Sequence, residues 1–228
     1  MNTLFTAPRA ATGPAATDRA AIGRAADGRA ADGRAATLLP GFEEPVAGAQ
    51  ATFRAALQAL ANPGQIQTIA SGCGVPTGLS HGMTALLLTL ADIDTAVWLP
   101  ETADAAALGF LRFHCGCPLV GDPAQARFVA VPAGCALPSL DACDPGDPAY
   151  PDRSATLLIE VASLDEGQPV TLSGPGIPGA RALRVTGLPA DFWTQWAVNH
   201  RRFPLGVDVV LIQGDRVCGL PRTTRVEN

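Results

Sequence analysis

Two short runs constrain this chain more than anything else in it: ATLLIEV at 155–161 and VDVVLI at 207–212. Both are nearly continuous in apolar and β-branched residues, without the alternation of a half-exposed strand. Strands of this kind are covered on both faces. A sheet built from them needs a layer above and a layer below. The segment 207–212 is too apolar to lie exposed, so it is core or interface.

The remaining patterns supply the covering layers. Phe53, Leu57 and Leu60 recur at helical spacing, predicting an amphipathic helix with these three on its buried face and Asn62-Pro63-Gly64 as its stop. A short extended piece follows at Gln65–Ala70. Met83–Ala91 reads as helix, Asp94–Leu99 as a buried strand, and Asp104–His114 as a helix capped by Asp104. Arg127–Val131 reads as a strand. Residues 132–152 form a Pro/Gly/Asp-rich loop long enough to suggest function or mobility. Pro169–Leu172 and Ala182–Val185 read as a hairpin. Trp193, Trp196, Ala197 and His200 mark one face of a helix over Ala190–Arg201. Arg216–Gly219 pairs back on 207–212 through Gly214-Asp215. The sum is an α/β fold, a three-layer α/β/α sandwich.

Residues 1–37 stand apart. From Asp18 the text repeats Arg-Ala-Ala with a period of five, which places no apolar stripe on a helix. This leader reads as a low-complexity, disordered extension, and residues 38–228 as a single domain. Asp18, Asp27 and Asp32 argue against a transit peptide. No apolar run is long enough to span a membrane, and six cysteines without a secretory signal suggest free thiols in the cytoplasm.

Charge and composition remove further classes. The net charge is −5, so a general nucleic-acid binder is not expected. All sixteen basic residues are Arg. Without Lys there is no Schiff base to a pyridoxal cofactor and no Walker-type phosphate loop. Cationic chemistry here is Arg chemistry, suited to carboxylate and phosphate.

Several patterns invite a chemical reading. Gly174-Pro-Gly176-Ile-Pro-Gly179 matches the dinucleotide-loop spacing, but strand rather than helix follows and Pro178 sits where the helix would begin. It is a sharp hairpin turn or a nest of backbone N–H groups for an anion. His114-Cys115-Gly116-Cys117 looks metal-like, but C-x-C is not the usual zinc spacing and no second cluster follows. Buried small side chains at a helix end explain it as well. No serine elbow, HExxH or other catalytic set is legible. Arg153-Ser154 leads into the 155–161 strand, and Arg222-Thr223-Thr224-Arg225 ends the chain. Segments just outside strand ends are natural ligand sites, and Arg among hydroxyls is a phosphate grip. The alternative is that Arg153 and Arg222 form structural ion pairs, for example with Asp208 or Asp152.

Five blocks in order carry a resemblance: FRAALQALANPG (53–64), YPDRSATLLIEV (150–161), LSGPGI (172–177), FPLGVDVVLI (203–212) and LPRTTRV (220–226). With these the chain resembles the PhnH family, the H subunit of the bacterial carbon–phosphorus lyase system, over roughly Pro40 to Val226. The resemblance implies a mixed-sheet sandwich related to the large domain of pyridoxal-phosphate-dependent transferases, without that cofactor. It implies a cytoplasmic protein that can form a homodimer and joins a core complex with the G, I and J subunits. That system couples an alkylphosphonate to ATP-derived ribose and releases adenine, giving a ribose 1-phosphonate 5-triphosphate. The H subunit supports this step with G, I and L, nucleosidase chemistry pointing to I. A radical iron–sulfur partner later breaks the carbon–phosphorus bond. The Arg-Ala repeat and the 114–117 cluster depart from the family pattern.

Three expectations follow. The first is an essential, non-catalytic subunit with no activity alone and no cofactor. The second is a nucleotide- or phosphonate-binding subunit whose anion site uses Arg153, Ser154, Gly174, Gly176, Asp208, Arg222, Thr223 and Thr224. The third is a metal-dependent module built on Cys115 and Cys117.

Overall fold

The computed structural model describes residues 39–227; the Arg-Ala repeat lies outside the described residues. At the centre is a mixed sheet of seven strands. In chain order these are β1 (Ile66–Thr68), β2 (Val97–Trp98), β3 (Leu119–Val120), β4 (Phe128–Val131), β5 (Thr156–Glu160), β8 (Asp208–Gln213) and β9 (Arg216–Leu220). Their spatial order is β1-β9-β8-β5-β4-β2-β3. Strands β3, β2, β4, β5 and β8 run parallel; at one edge β9 runs antiparallel to β8, and β1 antiparallel to β9. A second, three-stranded sheet has β6 (Pro169–Ser173) between β7 (Arg181–Arg184) and β10 (Arg225–Glu227).

Both diagnostic runs lie at the centre, paired to each other from Thr156–Asp208 to Glu160–Ile212. Their side chains divide alternately between two cores. Leu157, Ile159, Val209 and Leu211 face one core; Leu158, Val210 and Ile212 face the other. On the second face lie the helices α1 (Pro45–Ala61), α2 (His81–Leu90) and α3 (Ala105–His114). On the first lie α4 (Phe192–Arg201), with Phe192 and Trp196 fully buried, and the small sheet, through Val170, Leu172 and Leu183. The third layer is thus part helix and part sheet rather than purely helical. The reason is local: 169–185 alternates with period two around a Gly/Pro turn, so it makes a hairpin.

The helix starts follow their expected chemistry. The Asp104 carboxylate accepts the Ala106 N–H at 2.8 Å, and the Ser80 hydroxyl accepts the Met83 N–H at 3.2 Å. The expected strand at Asp94–Leu99 shrinks to Val97–Trp98.

Helix α1 overturns the face assigned to it. Phe53 and Leu57 are 51% and 52% exposed, while Thr52, Ala56 and Ala59 are buried. A Cβ placed on Gly219 of β9 would come within 2.5 Å of the Ala59 backbone. The helix therefore lies too close to the sheet for large side chains, and the small face goes inward. Thr52 is satisfied there by the Ser71 hydroxyl at 2.6 Å.

Candidate functional site

Of the segments singled out for anion binding, those carrying Ser154, Asp208 and Arg222 converge at the N-terminal ends of the parallel strands. Ser154 precedes β5 and Asp208 opens β8. Arg222 follows β9, which runs back to the same end. The Arg222 guanidinium is held on every side. Its Nε donates to Asp208 Oδ1 at 3.1 Å and its Nη2 to Asp208 Oδ2 at 2.5 Å. The other Nη2 proton goes to the Ser154 hydroxyl. Nη1 donates to the carbonyls of Pro151 at 2.9 Å and Pro204 at 3.3 Å. All five N–H donors of an arginine are thus used. The Arg222 backbone N–H adds a bond to Asp208 Oδ1 at 2.7 Å, and the Arg222 carbonyl contacts His200 Nδ1 at 2.9 Å. The Arg222 and Asp208 side chains are only 11% and 23% exposed.

This arrangement is a clamp. It ties the C-terminal segment to the 151–154 turn, the start of β8 and the loop after α4. Thr224 belongs to the same packing: it is fully buried, and its carbonyl accepts the Trp196 indole N–H at 2.9 Å. Of the two readings of Arg222, the structural ion pair with Asp208 is the one found.

The glycine loop is not part of the clamp. Gly174 has φ +133°, and a Cβ on it would meet the Thr223 carbonyl at 2.9 Å; Gly176 has φ +80°, and a Cβ there would meet the Ala61 carbonyl at 2.1 Å. Both glycines are needed to let the hairpin turn pack against the end of α1 and the C-terminal segment.

Arg153 alone of the two arginines faces open space. It stacks its guanidinium over the Tyr150 ring at 4.3 Å and lines a cleft of about 480 Å³. The same cleft is lined by Arg127, at the entry to β4, and by Thr95, Asp94 and Asp144. Neither Arg127 nor Arg153 makes an ion pair among the described residues. Arg127 was not among the residues the sequence pointed to; its place beside Arg153 depends on the β4–β5 register.

The 114–117 segment ends α3. The Cys117 thiol beside it pushes the Cys115 thiol up and is itself held down by Cys115; burial raises Cys115 further. The Cys115 thiol also reaches the Leu87 carbonyl at 3.6 Å, and His114 Nε2 contacts the Leu39 carbonyl at 2.9 Å. Among the described residues no three His, Cys, Asp or Glu side chains converge as metal ligands. No helix among them is long and apolar enough to cross a membrane.

Fold and site together define a layered α/β protein whose strongest polar cluster is an internal clamp rather than an exposed reaction centre. The chain belongs to the bacterial phosphonate metabolism protein family PhnH, whose model matches residues 40–227. It is 38% identical over 187 residues to the alpha-D-ribose 1-methylphosphonate 5-triphosphate synthase subunit PhnH of Rhizobium meliloti (strain 1021), covering 82% of this chain and 94% of that protein. It is 32% identical over 178 residues to the putative C-P lyase subunit protein HtxG of Stutzerimonas stutzeri, covering 78% and 85% respectively.

Proposed function

We propose that the chain is a non-catalytic subunit of a phosphonate-processing assembly. It supports the ATP-dependent ribosylation of alkylphosphonates, alongside G, I, J and L subunits, in the cytoplasm. The family match and the two relatives, both named as subunits, support the role. The observation that carries the non-catalytic part is the saturated Arg222: its five donors are spent on protein acceptors, so no cation is left there for a substrate. The match over residues 40–227 also supports a single domain at 38–228. A transferase-like scaffold that has lost its cofactor fits a chain with no Lys to attach one.

Assembly, as a homodimer or with the other subunits, needs a sticky surface. Val46, Phe53 and Leu57 of α1 supply one, at 73%, 51% and 52% exposure. The test is co-expression with the G, I and J subunits followed by gel filtration. A stable co-eluting assembly is expected; a chain that stays separate at every ratio would refute the subunit reading.

One observation favours a second reading, in which this subunit touches an anionic substrate. Arg127 and Arg153 line one cleft, together with Asp94 and Asp144, without making an ion pair among the described residues, and guanidinium groups suit a phosphonate or phosphate. Calorimetry with ATP and with methylphosphonate tests it. Binding by the wild type that is lost in Arg127→Ala and Arg153→Ala supports it; no heat with either ligand removes it.

A further inference from the structure

The parallel part of the sheet reverses its winding once. From β2 the chain moves outward to β3, then returns to place β4 on the other side of β2. In open parallel sheets the loops leaving the C-terminal ends of the two strands at such a reversal diverge and leave a crevice. Here those loops begin at Leu99 after β2 and Pro132 after β4. They touch only lightly, through the Thr102 hydroxyl and the Cys135 thiol at 3.7 Å.

Beside this point, over the C-terminal ends of β4 and β5, is a cavity of about 350 Å³. Its walls are mixed: Val131, Leu137, Ile159 and Leu188 supply apolar surface and polar atoms supply about as much, with Cys135 among the lining residues. The single charge in the lining is Glu160, the last residue of β5. Its carboxylate is fixed from two directions: Oε1 accepts the Ser80 N–H at 2.7 Å and Oε2 accepts the Ala133 N–H at 2.9 Å. Each oxygen keeps a further lone pair. No Arg or His lines the cavity, and Glu160 has no ion-pair partner among the described residues.

A pocket of this size, half apolar and holding one anchored carboxylate that no cationic side chain pairs, has a definite preference. It repels phosphate and phosphonate and attracts a cationic donor. We propose that the cavity is a binding site for a small amine: an ammonium head paired with Glu160 and an apolar body lying on Ile159, Leu137 and Leu188. This is a different site, of opposite ligand charge, from the Arg127–Arg153 cleft, and it does not depend on that cleft or on the subunit role.

Three probes that differ mainly in charge test it on the full chain: benzylamine, benzyl alcohol and benzylphosphonate. The readouts are melting temperature and protection of Cys135 from iodoacetamide, followed by peptide mapping. Benzylamine is expected to raise the melting temperature saturably and to protect Cys135, and benzylphosphonate to do neither. Glu160→Gln should weaken the amine by about tenfold or more, the scale of a charge-assisted hydrogen bond. Because that variant also disturbs the Ser80 and Ala133 contacts, Cys135→Trp serves as a second probe: it leaves Glu160 in place and fills the cavity from its rim, so the benzylamine shift should vanish. No response to benzylamine in the wild type, an equal response to all three probes, or a shift retained in both variants would overturn the proposal.

Discussion

Replacing Arg222 should unfold the protein before it disables any ligand site, and the clamp geometry sets the size of the effect. Arg222→Ala removes the partner of a largely buried Asp208 carboxylate and strips donors from the Ser154 hydroxyl and the Pro151 and Pro204 carbonyls. Breaking a buried pair from one side costs about 3–5 kcal/mol, mostly because the remaining charge is left unpaired. A domain's whole stability is about 5–15 kcal/mol, so the variant should be marginal at 37 °C. Arg222→Lys keeps the charge but cannot match both carboxylate oxygens and both carbonyls, and should recover only part of the loss. The double variant Arg222→Met with Asp208→Asn should cost less than the sum of the two single changes, because neither then leaves a buried charge unpaired. Urea unfolding at 25 °C, with the slope compared between variants, measures all three. A loss below about 1 kcal/mol for Arg222→Ala at unchanged slope would refute the clamp, since surface-type pairs fall in that range. Additive losses in the double variant would refute the coupling.

Other outcomes follow from the same geometry. Gly219→Ala and Gly176→Ala should each destabilise by about 1–3 kcal/mol or more, because a Cβ would sit 2.5 Å and 2.1 Å from the α1 backbone; thermal melts check this. Phe53→Glu and Leu57→Glu should leave the isolated chain within about 0.5 kcal/mol of wild type yet weaken co-elution with partner subunits. Burial pushes the Cys143 thiol up to about 12 and the Cys218 thiol up to about 11, so at pH 8 both should resist alkylation in the folded state, as peptide mapping would show. The Arg216 hydrogen bond holds Asp165 below the usual carboxylate range. Its small contribution should therefore be present at neutral pH and disappear as pH falls through that lowered value. Melts of Asp165→Asn and wild type should converge in acid.

Much of the fold was legible because it rests on local patterns. The two apolar runs are adjacent parallel strands, the 169–185 segment is a hairpin, and Asp104 caps α3. What misled was distance between layers. Phe53 and Leu57 have helical spacing, but spacing cannot tell which face meets the sheet when the opposite face is all small residues. Gly219, some 160 positions downstream, settles it by admitting the helix backbone. The site was legible in its parts, and the ion pair of Arg222 with Asp208 is one of the two readings the sequence offered. Arg222, Asp208 and Ser154 do meet, as a closed structural unit; Gly174 and Gly176 serve the turn instead. Glu160 went unremarked, although a lone carboxylate closing the run ATLLIEV is a visible oddity: its role depends on Ser80 and Ala133, which only the fold brings to it.

The rule that ligands gather outside strand ends is directional, and direction separates the two ends of this sheet. Arg153, Ser154, Asp208 and Arg222 all lie at the end where the parallel strands begin, and the clamp there spends the Arg222 donors on protein acceptors. The rule points to the opposite end, where Glu160 and Cys135 line open volume beside the reversal. Loss of phosphonate use on substituting Arg222 would thus report on folding, not on substrate contact. Evidence for direct chemistry has to come from positions with free donors or acceptors: the donors of Arg127 and Arg153 for an anion, the remaining lone pairs of Glu160 for a cation.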